Sequence, residues 1–158
     1  MFKKIDFIEP VQRALTFSVV ALTIVVGYLG LIHFGPKIER AYFPVVKDAG
    51  IVTVERAAPD QFALKIAFTK DRACEFTTLS WYVGHPEQAF SATEVAFSAH
   101  GTRPLGRNIA GRWLVTIPDG TDWTFGIVRH ECGLPWTSES VIGPFSVRSL
   151  LDGAVSIP

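Results

Sequence analysis

Residues Ala14 to Phe34 read ALTFSVVALTIVVGYLGLIHF, twenty-one positions without an Asp, Glu, Lys or Arg, with Arg13 before and Lys37 after. At ~1.5 Å per residue a helix of that length covers about 30 Å, the depth of a bilayer's hydrocarbon layer. The run therefore predicts one transmembrane helix over 14–34 that carries a single domain. Signal-peptide cores are shorter, about 7–15 residues, and end at small residues spaced for cleavage; Tyr28-Leu29-Gly30-Leu31-Ile32 offers no such site. The expectation is an uncleaved signal anchor, single-pass.

Basic flanks do not set the orientation, because Lys3, Lys4 and Arg13 on one side balance Lys37, Arg40 and Lys47 on the other. Cysteine usage does. The chain has two, Cys74 and Cys132, enough for one disulfide and suited to an oxidising compartment. This places the N-terminus in the cytoplasm and the domain in the periplasm or another extracytoplasmic space, at the inner membrane. The expected layout is a cytoplasmic tail over 1–13, the helix, a juxtamembrane connector over 35–50, a β-domain over 51–149 and a tail over 150–158.

Within the span Thr16, Val20, Thr23, Gly27 and Gly30 recur at steps of three and four, one seam of a helix. Small residues along a seam let two backbones approach closely, which is how helices associate in lipid. Pro10 suits the first turn of the helix. Phe2, Ile5, Phe7 and Ile8 suit an interfacial tail at headgroup level. Gly35-Pro36 predicts a break or kink, with a further turn or two from Lys37 to Phe43 before Pro44 stops it.

Beyond Gly50 the helical period gives way to short alternating runs over 51–54, 62–68, 74–83, 93–99, 113–117, 123–132 and 141–147, separated by turn residues such as Pro118-Asp119-Gly120. Phe62, Leu64, Ile66 and Phe68 share one face. Gly143-Pro144 marks a bulge or an edge strand. About seven strands predict an all-β fold, an immunoglobulin-like antiparallel sandwich. A Cys74–Cys132 bridge would close a long loop and stabilise by ~4 kcal/mol in the chain-entropy model.

Chemistry is sparse. His130 and Cys132, two apart on one strand face, suggest metal ligands, but the further ligands a zinc or copper site requires are missing. No metal and no cofactor are expected. His85, His100 and His130 accompany many Ser, yet no Gly-x-Ser-x-Gly elbow or Gly-rich phosphate loop occurs, so no catalytic residue is assigned and the expectation is a non-enzyme. The residues after Gly50 hold eleven acidic and nine basic side chains, a balance that argues against nucleic acid as a partner. The loop from His100 to Arg112 carries Arg103, Arg107 and Arg112, candidates for lipid headgroups or an acidic partner. Trp136, in Gly133-Leu134-Pro135-Trp136, reads either as an exposed anchor for a partner or as a ring folded over the disulfide.

The strings Arg72-Ala73-Cys74-Glu75-Phe76, Gly111-Arg112-Trp113 and His130-Glu131-Cys132, with the hydrophobic N-terminal segment, give a layout that resembles small uncharacterised proteins of tailed phages and some proteobacteria. The resemblance implies the layout and a possible viral origin, and no mechanism. Together these readings predict an accessory or interaction module of a membrane or envelope complex. Its partners would be the lipid bilayer and other membrane subunits, or a second copy engaged through the helix. The alternatives are a small extracytoplasmic hydrolase or metal-handling enzyme, and a phage-encoded envelope or lysis factor.

Overall fold

The computed structural model describes residues 8–97 and 101–151, so Phe2, Ile5, Phe7 and His100 lie outside the described residues. The apolar run forms part of one helix, α1 (Ile8–Tyr42), of 35 residues and about 52 Å. It is long and apolar enough to cross a membrane, with mean hydropathy 2.3, and its apolar side chains, from Leu15 to Phe34, are largely exposed. Pro10 sits in its first turn, as expected. The helix is unbroken at Gly35-Pro36: Pro36 lies inside it, and it runs on to Tyr42, just short of Pro44. Proline removes one backbone donor, and here the contacts that the helix end makes with the domain offset that loss. Residues 35–50 supply the end of α1 and the start of the first strand, with 43–45 between them.

Nine strands follow among the described residues: β1 (Val46–Ala58), β2 (Gln61–Lys70), β3 (Glu75–Gly84), β4 (Phe90–Thr93), β5 (Val95–Phe97), β6 (Gly106–Ile109), β7 (Trp113–Thr116), β8 (Trp123–Glu131) and β9 (Ser138–Ser146). A short helix, α2 (Val147–Leu151), follows β9 and buries Val147 and Leu150. The strands make two antiparallel sheets. One runs β1-β2-β7-β5, with β6 paired to the end of β2 that β7 leaves free; the other runs β4-β3-β8-β9.

Two differences from the sequence expectation have clear causes. The single run over 93–99 divides at Glu94, where the chain leaves one sheet (β4) for the other (β5). Thr93 fastens that corner by donating its hydroxyl to the Thr116 carbonyl at 2.6 Å. Within 101–112 a short strand likewise interrupts the expected loop, because β6 pairs Ala67–Lys70 with Gly106–Ile109. Four-residue strands carry too few alternations for the sequence to reveal them. Gly143-Pro144 sits where expected, in an edge strand beside a register shift.

The two sheets enclose Phe62, Leu64, Ile66 and Phe68 of β2, Leu79 and Trp81 of β3, Trp113 and Val115 of β7, and Val128 and Ile142. Trp81 is fully buried. Its Nε1 donates to Thr124 Oγ1 at 2.6 Å, and that hydroxyl passes the bond on to the Tyr82 carbonyl at 2.8 Å. The Trp81 ring lies directly over Gly126 of β8. Replacement of Gly126 by Ala would put a Cβ 2.7 Å from that ring and should cost about 2–3 kcal/mol by overpacking. Urea denaturation of the variant measures this, with an unchanged m value expected.

Candidate functional site

The end of α1 is held by an arrangement built around one carboxylate. Glu39 lies a turn beyond Gly35 on the helix and is only 7% exposed. Its Oε1 accepts from the guanidinium of Arg72 and from Ser138 Oγ at 2.6 Å, while Oε2 accepts from Trp136 Nε1 at 2.6 Å. Arg72 also donates to the Phe43 carbonyl at 3.1 Å, capping the helix. Gly35 lets the Trp136 ring approach the helix; a Cβ there would stand 2.5 Å from the ring.

The chain beyond the helix is fixed as firmly. The backbone N–H groups of Val45 and Val46 both donate to Ser140 Oγ, at 3.1 and 3.0 Å. Lys47 pairs with Asp71 at 2.6 Å, and Glu139 faces both Arg129 (2.8 Å) and Arg40 (3.9 Å). The donors to Glu39 come from two places, the turn between β2 and β3 (Arg72) and the segment leading into β9 (Trp136 and Ser138). The Cys74–Cys132 disulfide, 58 positions apart in sequence, ties those two places together at the end of neighbouring strands β3 and β8. The bridge thus holds the segment of Arg72 close to that of Trp136 and Ser138, the three donors to Glu39. It joins strands within one sheet rather than the two layers.

The sequence candidates are distributed otherwise. Trp136 is half-buried, and its ring packs against Gly35 of the helix. Arg103, Arg107 and Arg112 do not converge. The Arg103 carbonyl accepts from Lys70, Arg107 projects from β6 beside Asp48, and Arg112 meets Glu55 at 3.6 Å at an exposed site. Register puts Arg107 opposite Thr69, itself opposite Lys47, so Arg107 sits at the helix end of the domain. Along the seam, Thr16 and Thr23 donate their hydroxyls to Gln12 and Val19 within their own helix, and Gly27 and Gly30 face open space. Val20 is exposed between them.

Sequence reasoning missed Glu39 and Gly35, because a lone Glu past an apolar run reads as a solvated flank. It missed Lys70 too, which is 2% exposed and closes β2 inside the sandwich. Lys70 Nζ donates to the carbonyls of Cys74 (2.7 Å) and Arg103 (3.0 Å). It lines a partly open cavity of about 50 Å³ together with His130, whose Nδ1 is buried without a hydrogen-bond partner among the described residues. Burial, and then the nearby Lys70 charge, push the His130 imidazole down to about 4, and burial lowers Lys70. Cys132 is consumed by the disulfide, so the suggested His130–Cys132 ligand pair has no free thiolate. At the far end, Phe90 and Trp123 remain 48% and 41% exposed, with His85 edge-on to Trp123 at 5.7 Å.

Two outcomes follow from this geometry. Glu39→Ala leaves Arg72, Trp136 and Ser138 without their shared acceptor and should cost about 3 kcal/mol in urea denaturation. His130 favours its neutral form in the folded protein, so its contribution is complete above the ordinary value near 6.5. It is lost as pH falls toward about 4, where the unfolded chain takes the proton first. The loss is about 3 kcal/mol across that window, and His130→Phe should flatten this part of the stability–pH curve.

Compared with protein-family models, with curated proteins and with solved structures, the chain finds no match.

Proposed function

We propose that this chain is a single-pass membrane protein whose β-domain is an interaction module, an accessory subunit of a membrane or envelope complex. The observation that carries the reading is the continuity of α1 from its exposed apolar length into the Glu39 clamp. A domain that only had to be tethered would be served by a flexible linker. Here some 12 Å of helix beyond the apolar run is built into the domain, which holds the sandwich at a set height and angle over the bilayer. Fixed presentation serves a domain that must meet another component in register.

On this reading the N-terminus is cytoplasmic and the domain extracytoplasmic, in the periplasm at the inner membrane, where the disulfide is maintained. Arg103 and Arg107, at the helix end, face the headgroups. Phe90 and Trp123, at the opposite end, offer exposed aromatic area of the kind that anchors a partner. Gly27 and Gly30 give the span a surface for a second helix. The immunoglobulin-like assignment rests on the two antiparallel layers alone.

Gentle detergent extraction followed by mass spectrometry tests the proposal. Resistance to alkaline extraction and stoichiometric recovery of membrane proteins are expected. A flexible Gly-Ser insertion after Pro44 should reduce that recovery while leaving the domain folded. Release of the chain by alkaline wash, or a clean monomer without companions, would overturn the reading.

A further inference from the structure

Between the sheets, the cavity of about 50 Å³ has walls made mostly of Phe68, Phe76, Leu79, Trp113, Val128 and Ile142. At roughly 10–15 Å³ per water-sized occupant, it has room for about four non-hydrogen atoms. Three polar residues, Lys70, His130 and the half-buried Arg103, interrupt this apolar lining. Lys70 is 2% exposed and His130 3% exposed.

Lys70 is the unusual one. An ammonium carries three N–H donors, and two of them go to neutral backbone carbonyls. No carboxylate among the described residues pairs with it; the acids that form ion pairs are Glu39, Glu55, Asp71 and Glu139, each with another base. A buried cation without a counter-charge is costly: it is driven toward its neutral form unless a well-placed anion pairs with it. His130 adds a second unmet group, since its buried Nδ1 has no partner among the described residues. Both line the same small space.

We infer that this cavity is a binding site for a small monocarboxylate with a short apolar group, of about the size of acetate. Its carboxylate oxygens meet the Lys70 ammonium and the His130 ring nitrogen, and its methyl end rests against the aromatic wall. A bare halide would satisfy the charge and leave the apolar volume empty. A longer chain overfills the 50 Å³ and would have to reach out through the cavity's open side. The site lies inside the domain and does not depend on the membrane reading. Burial disfavours the charged forms of both Lys70 and His130, and a bound anion reverses that preference. Occupancy also bears on the surrounding chain, because Lys70 holds the carbonyls of Cys74, beside the disulfide, and of Arg103.

The test uses the full chain in detergent micelles, titrated with ¹³C-methyl acetate. Saturable shifts are expected for amides of β2 and β8, with intermolecular NOEs from the acetate methyl to the Phe76 and Trp113 rings. Sodium chloride at equal ionic strength should give neither, and butyrate should bind more weakly. Lys70→Met should weaken acetate binding by roughly tenfold or more. Ala110→Val narrows the cavity while keeping Lys70 and His130, and should weaken binding also, which covers the case in which the Lys70 variant does not fold. Linear, non-saturating shifts, or NOEs absent from the wild-type chain, would overturn the assignment and leave a cavity filled by water. Equal binding by chloride would replace it with a simple halide site.

Discussion

The Glu39 carboxylate is the constraint on which the arrangement of the molecule depends. A charge that is nearly out of water needs hydrogen-bond donors, and here Arg72, Trp136 and Ser138 supply three. Because those donors are fixed in direction, the helix end has one orientation in which all three bonds form. The approach of Trp136 over Gly35 sets the same orientation through shape. Ion pairs of this kind contribute more to geometry than to net stability, since desolvation offsets much of their attraction. The proposed role of the domain, presentation at a fixed angle, uses that property.

The disulfide belongs to the same account. It lies between the segment that brings Arg72 and the one that brings Trp136 and Ser138, so it holds the receptor for Glu39 in shape. One residue away in the network, Lys70 bonds the Cys74 carbonyl from inside the sandwich. The clamp on the outside and the cavity on the inside therefore share one piece of backbone. Cleavage of the bridge would loosen both.

Much of the architecture was legible in the chain. The uncharged run from Ala14 to Phe34 announced the helix, and period-two alternation in Phe62–Phe68 and Trp113–Ile117 announced strands whose core faces are buried. Boundaries failed where tertiary contacts overrode local signals. Gly35-Pro36 has the local chemistry of a helix end, yet α1 continues because Trp136 and Arg72, about a hundred and about thirty residues away, hold its last turns. The strands β4, β5 and β6 are too short to show a period, and their partners alone define them. The candidate site was least legible. Glu39 and Lys70 are ordinary surface residues by type, and only the fold reveals that both are buried. Trp136 was singled out by its setting, and its actual contact lies on a segment the sequence assigned to a connector.

Hydrogen–deuterium exchange of the backbone amides from Lys37 to Val46 tests the central claim most directly, read in the intact protein and in a Glu39→Gln variant. The account predicts that these amides exchange as slowly as those of Leu64 and Ile66 in the intact protein. In the variant they should lose protection while the sheet retains it. Rapid exchange of that segment in the intact protein, or protection unchanged in the variant, would contradict it.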